Sequence, residues 1–136
     1  MKNNPAKTTR AITKSEAEWK EVLTTEQYNI LRKKHTESPF TGQYWNTKSK
    51  GIYNCAGCGT ELFLSDTKFD SGTGWPSFFK AASNDRIKTV VDKTVGMERT
   101  EIICAKCEGH LGHVFNDGPQ PTGLRFCVNS AALVFK

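Results

Sequence analysis

Two C-x-x-C pairs constrain this chain more than any other feature. Cys55-Ala56-Gly57-Cys58 and Cys104-Ala105-Lys106-Cys107 are separated by the long stretch 59–103. Each pair ends an apolar, β-like run, IYNC and EIIC, and a glycine follows each within two residues, Gly59 and Gly109. A tight turn can aim two sulfurs at one point, and glycine supplies the positive φ such turns often need. Two turns together give four thiolates, the donor set of a tetrahedral zinc site with sulfurs at about 2.3 Å. The gap between the pairs is too long for a simple finger, so the metal would clamp two remote hairpins. A four-thiolate shell leaves no open position, so this one zinc ion would be structural. Ligand softness favours zinc, although the sequence also admits a rubredoxin-type iron. Redox-active C-x-x-C pairs are disfavoured because neither has βαβ flanks.

Cysteine usage also bounds the compartment. Five cysteines are an odd number, so a full disulfide framework would strand one. The start, MKNNPAKTTRAITKSEAEW, has no apolar h-region. Paired C-x-x-C motifs behind such a leader point to metal in a reducing compartment, and a cytoplasmic location is expected. No apolar run approaches the roughly 18–20 residues of a membrane span, so no membrane partner is expected. The net charge is +5, but the basic residues are scattered and the densest run, Arg32-Lys33-Lys34, is short. Four thiolates around a dication would lower the charge further. No nucleic-acid partner is therefore expected.

The 136 residues suit one domain. Residues 1–14 read as a disordered leader and 15–136 as the domain. Ser15 with Glu18, and Thr24 with Gln27, form two capping-box signatures, which predict two short helices in an arm over 15–37. Trp19, Val22, Leu23, Tyr28, Ile30 and Leu31 give each helix an apolar stripe, and Ser38-Pro39 stops the helical segment. Over 38–136 the texture turns β-rich. Candidate strands are GIYNC, TELFL, IKTVVD, MERTEIIC, GHVF, LRFCVN and AALVF. No long helical pattern separates them, so antiparallel pairing is expected over βαβ units.

The fifth cysteine stands in LRFCVN. On a strand, side chains alternate between faces. Leu124, Phe126 and Val128 share one face. Arg125, Cys127 and Asn129 share the other, so the cysteine lies in the polar phase beside a permanent cation. Arg125 should favour the thiolate, the nucleophilic form. His110 and His113, in GHLGHVF, follow the second cysteine pair closely. Four thiolates would fill a metal shell without them, which leaves the pair structural or catalytic.

The stretch SGTGWPSF (71–78) is decisive. Together with PFTG (39–42), the two C-x-x-C pairs, GHLGHVF (109–115) and RFCVNS (125–130), it resembles the methionine sulfoxide reductase B family over residues 38–135. The resemblance implies a mainly β fold of two antiparallel sheets forming a barrel-like core, with a four-cysteine zinc clamp away from the active site and no organic cofactor. It implies reduction of the R epimer of methionine sulfoxide, free or in oxidised proteins. Cys127 matches the nucleophile, and His110 and His113 match the histidines beside the sulfoxide oxygen. Trp75 matches the wall for the substrate methyl. Arg125, Asn129 and Phe115 match the rest of the site; Asn129 is expected to orient a histidine or a water. Cys55, Cys58, Cys104 and Cys107 match the zinc ligands. Many members carry a resolving cysteine where this chain has Thr73. With four cysteines on metal, none is left to pair with Cys127, so thioredoxin, or glutathione with glutaredoxin, is the expected reductant. A monomer is expected. The rival reading is a zinc-ribbon-like module that binds nucleic acid or protein.

Overall fold

The computed structural model describes residues 14–93 and 99–136. The leader expected over 1–14 therefore lies outside the described residues but for Lys14, as do Met97 and Glu98 of the MERTEIIC run.

Both predicted capping boxes form. The Ser15 hydroxyl accepts from Glu18 N and the Glu18 carboxylate accepts from Ser15 N, opening α1 (Glu16–Val22). Thr24 and Gln27 repeat the exchange to open α2 (Thr25–Lys33). Two of the free N–H groups at each helix start are thereby satisfied. Helix α2 ends at Lys33, well before Ser38-Pro39, and is capped by Lys34 in a left-handed backbone conformation (φ 60°). Trp19, Leu23, Tyr28, Ile30 and Leu31 are buried, but Val22, expected in the apolar stripe, is exposed.

The rest is β, in two antiparallel sheets. The small sheet joins β1 (Ile52–Cys55), β2 (Glu61–Leu64) and β9 (Leu133–Phe135) in the order β2-β1-β9. The large sheet holds β3 (Lys68–Phe69), β4 (Ser77–Phe78), β5 (Ile87–Asp92), β6 (Arg99–Cys104), β7 (His110–Phe115) and β8 (Arg125–Val128), in the order β3-β4-β8-β7-β6-β5. Neither sheet closes on itself among the described residues: the large one ends at β3 and β5. The barrel-like expectation is thus corrected to two open sheets packed face to face. An aromatic layer fills the space between them. Tyr53 and Phe63 of the small sheet meet Phe78 and Phe126 of the large one, with Phe63 stacked on Phe78 at 4.4 Å. Offset stacking adds to the area these rings remove from water.

The strands β3 and β4 have no counterpart among the sequence-predicted ones, because two residues carry no period. The first half of AALVF is also not strand. Ser130–Ala132 forms a 3₁₀ turn before β9. Among the described residues no helix is long and apolar enough to cross a membrane.

Candidate active site and metal clamp

Each C-x-x-C pair forms the turn of a hairpin, β1–β2 and β6–β7, one in each sheet. The two turns carry the same hydrogen bonds. Gly59 N donates to Cys55 O and Cys55 N to Thr60 O; Glu108 N donates to Cys104 O and Cys104 N to Gly109 O. The fourth residue after the first cysteine is left-handed in both, Gly59 at φ 81° and Glu108 at φ 62°. The expectation that glycine supplies the positive φ therefore holds for Gly59 and fails for the second turn, where Glu108 takes that conformation. Gly109 packs closely against helix α2: an added Cβ would stand 2.9 Å from Leu31 Cδ2 and 3.4 Å from Cys107 Sγ, so the end of the Leu31 side chain would have to shift. Helix α2 packs there, and Arg32 Nη1 donates to Cys107 O at 3.0 Å.

The four sulfurs converge. Cys55 Sγ lies 3.6 Å from Cys107 Sγ, and Cys58 Sγ lies 3.6 Å from Cys104 Sγ. All four atoms fall within 4.8 Å of one another. A disulfide is excluded by distance. Four thiolates at about 2.3 Å from one tetrahedral ion stand about 3.8 Å apart, so the cluster has the dimensions of a metal shell. Hydrogen bonds among the four thiols split the cluster: Cys58 is held far below the ordinary thiol range and Cys104 is brought down to about 7, while Cys55 and Cys107 are pushed up.

The second site lies on one face of the large sheet. Registration places Ser77, Cys127, His113 and Glu101 in a single row across β4, β8, β7 and β6. Cross-strand neighbours on one face have Cβ atoms about 5 Å apart, so the Cys127 thiol and the His113 ring face each other directly. The next pair of β7 and β8 on the same face is Phe115 with Arg125, whose guanidinium lies 4.4 Å over the Phe115 ring. A groove of about 270 Å³ opens here, lined by Cys127, His113, Trp75, Phe115, Arg125 and Asn129, among others. None of the four clustered cysteines lines it.

His110 and His113 are three apart, and on a regular strand they would face opposite ways. A bulge in β7 at Leu111 restores a common face: Ile102 pairs with Gly112 but Ile103 pairs with His110. The two rings come to 5.6 Å in a T-shaped contact. They are not equivalent. His113 lines the groove, whereas His110 is only 3 % exposed and lies behind it. Burial pushes the His110 pKa below its ordinary value, against the pull of the Glu101 carboxylate.

Asn129 fixes the bulge. Its backbone N and its Nδ2 both donate to the carbonyl of Leu111, and its Oδ1 accepts from Glu37 N at 3.0 Å. Both of these side-chain bonds go to backbone groups, and they tie β7 to Glu37. Gly112 completes the bulge, since an added Cβ would collide with the Cys127 carbonyl.

Trp75 is half-buried, and its Nε1 donates to the Glu37 carbonyl at 3.0 Å, which leaves the ring as a groove wall. Arg125 is engaged twice with Asp117, Nε to Oδ1 at 2.9 Å and Nη2 to Oδ2 at 3.2 Å. The expected pull of Arg125 toward the thiolate is present, but burial outweighs it. Burial pushes the Cys127 thiol up to about 11; Arg125 pulls it down, but Glu37 and Asp117 oppose that pull. The resting form at neutral pH is the thiol.

Residues 23–136 match the SelR domain. The chain is 58 % identical over 127 residues to a protein of Methanosarcina barkeri (93 % of this chain, 89 % of the relative), 57 % over 129 residues to one of Agrobacterium fabrum (95 % and 96 %) and 59 % over 125 residues to one of Acinetobacter baumannii (92 % and 90 %). Each of the three is a peptide methionine sulfoxide reductase MsrB.

The chain belongs to the methionine sulfoxide reductase B family. In this family member the position expected for a second thiol, Thr73, does line the groove with Cys127. Its hydroxyl is 2.7 Å from Ser71 Oγ, which is 2.8 Å from Ser77 Oγ. Two residues absent from the sequence reading join the site. Glu37 caps the 3₁₀ turn through Ser130 N and Ala131 N, and Glu101 holds His110 Nδ1 at 2.7 Å. Alternation along TEIIC gives Glu101 no inward signal, and Glu37 sits in an unpatterned connection.

Proposed function

We propose that this protein reduces methionine R-sulfoxide, free or within oxidised proteins, through Cys127. The observation that carries this reading is the direct cross-strand pairing of Cys127 with His113 inside a groove walled by Trp75. A sulfoxide sulfur is a poor electrophile until its oxygen gains a proton. His113 is the group in reach to deliver one, and imidazole suits that work near neutral pH. The raised pKa of Cys127 fits this order of events. The thiol keeps its proton until substrate is bound, then forms a sulfur–sulfur bond as the sulfoxide oxygen is protonated. Net transfer of that oxygen leaves methionine, reduced by two electrons, and a sulfenic acid on Cys127, oxidised by two. An indole face against the methyl group and His113 at the oxygen fix two substituents of a chiral sulfur, and so choose one epimer.

The sulfenic acid then condenses with an external thiol, releasing water, and a second thiol frees Cys127 as a disulfide departs. Thioredoxin, or glutathione with glutaredoxin, supplies those thiols, since Thr73 offers none. Cys55, Cys58, Cys104 and Cys107 would hold a structural zinc, which would cross-link the two hairpin turns and take no part in the reduction.

The test is reduction of methionine R- and S-sulfoxide with dithiothreitol, for wild type and Cys127→Ser. R-specific turnover lost in the variant is expected, with one turnover without reductant leaving a sulfenic adduct and no protein disulfide. Activity that survives the substitution sinks the reading.

A further inference from the structure

His110 does not line the groove, yet its surroundings are specific. Three charged or titratable groups face it among the described residues: Glu101 from β6, His113 from β7 and Lys34 from the end of α2. Glu101 is itself 3 % exposed, and its two oxygens have different partners. Oε1 meets Lys34 Nζ at 3.4 Å, and Oε2 meets His110 Nδ1 at 2.7 Å. A carboxylate only accepts hydrogen bonds, and an ammonium only donates. His110 Nδ1 must therefore carry the proton. His110 Nε2 is buried and has no hydrogen-bond partner among the described residues; with the proton on Nδ1 of the neutral ring, it carries a lone pair next to the His113 ring. Lys34 adds a second observation. It holds the left-handed position that ends α2, where glycine is usual, and its long side chain reaches Glu101.

We infer that Glu101 is a positioning residue for sulfoxide reduction: it fixes His110 as the Nδ1–H tautomer, with Lys34 choosing which carboxylate oxygen does so. The inference rests on His113 as the proton carrier proposed above. A lone pair at Nε2 stabilises the positive charge on His113 while it carries the proton; an N–H dipole in the same place would oppose it.

Lys34 makes the inference testable. In Glu101→Gln, Lys34 can only donate, so it claims the amide oxygen and turns the NH₂ toward His110. That forces His110 into the Nε2–H tautomer. Long-range ¹H–¹⁵N spectra of the full, zinc-loaded chain, with His110 assigned by its loss in His110→Asn, should show Nδ1–H in wild type and Nε2–H in E101Q. The E101Q kcat should fall about tenfold or more, with KM within about twofold, because His110 does not touch substrate. In the E101Q/K34M double variant the amide is free to turn. The Nδ1–H tautomer should return with part of the lost kcat, a rescue that a merely structural defect would not show. Should E101Q fail to fold, Glu101→Asp keeps the charge but withdraws it from Nδ1, and should lose kcat likewise. An Nε2–H or doubly protonated His110 in wild type at neutral pH, or wild-type kcat in E101Q or E101D, overturns the inference. A wild-type protein that reduces no sulfoxide sinks the functional reading instead, while the spectra still decide the tautomer.

Discussion

Cys127 shows how a residue's neighbours in sequence and in space can disagree. Strand alternation places Arg125 beside it, which argues for a thiolate. In the folded protein Arg125 is held by Asp117, and burial dominates, so the thiol persists up to about 11. Below that pH the group is neutral and a poor nucleophile. Alkylation of Cys127 by iodoacetamide in the substrate-free protein should therefore rise with pH to a midpoint near 11, and at pH 8 should be slower than for a cysteine in a short peptide. Asp117→Asn should move the midpoint down, because it removes one opposing carboxylate charge and leaves the Arg125 charge uncompensated. A midpoint at or below the ordinary thiol range in wild type would contradict the burial argument. Trp75 gives a second prediction at this scale. Trp75→Ala should raise KM for methionine R-sulfoxide well above the wild-type value and leave the alkylation rate of Cys127 little changed. Unaltered KM would remove Trp75 from the substrate wall.

The hairpin turns and the β7 bulge belong to the scale of elements. Spacing alone shows that each C-x-x-C pair turns a hairpin. It does not show that the left-handed residue of the second turn is Glu108, because glycine is present one position later and looks sufficient. A non-glycine residue in that conformation costs about 1 kcal/mol, and the exposed Glu108–Lys88 ion pair returns little of it. Glu108→Gly should therefore raise the stability of the metal-loaded protein by ~0.5–1 kcal/mol, and Gly59→Ala should lower it by about 1 kcal/mol. Denaturant melts of both variants check the pair; shifts of equal sign would refute the matched-turn argument. The bulge was illegible for a related reason. An i, i+3 histidine pair reads as opposite faces on a strand, and only the extra residue at Leu111, pinned by Asn129, turns both rings to one side. Capping boxes were legible, because each is a local exchange of two hydrogen bonds.

At the scale of the whole molecule, the cysteine cluster joins the two sheets. Cys55 and Cys58 belong to the small sheet's hairpin, and Cys104 and Cys107 to the large one's. Helix α2 packs on the second turn through Leu31 and Arg32. Removing the metal should therefore loosen all three layers at once. Structural zinc contributes several kcal/mol, and each is worth a few degrees in a domain this size. Chelation should release about one zinc per chain and lower Tm by roughly 10 °C or more. Calorimetry with metal analysis decides it, and an unchanged Tm on full metal loss would refute the clamp.

The sequence by itself determined the parts whose causes are local or combinatorial. Two capped helices, a mainly antiparallel β chain, four cysteines in two matched pairs and a fifth left alone all follow from spacing and count. The tertiary structure decided whatever depends on which strands become neighbours. Pairing of β6, β7 and β8 puts Glu101, His113 and Cys127 in one row, although Cys127 follows Glu101 by 26 residues in the sequence. It separates His113, in the groove, from His110 behind it, and it sets Arg125 against Asp117. Ionisation follows the same rule, because burial and the full set of surrounding charges fix a pKa, and neither is a property of the residues next in line.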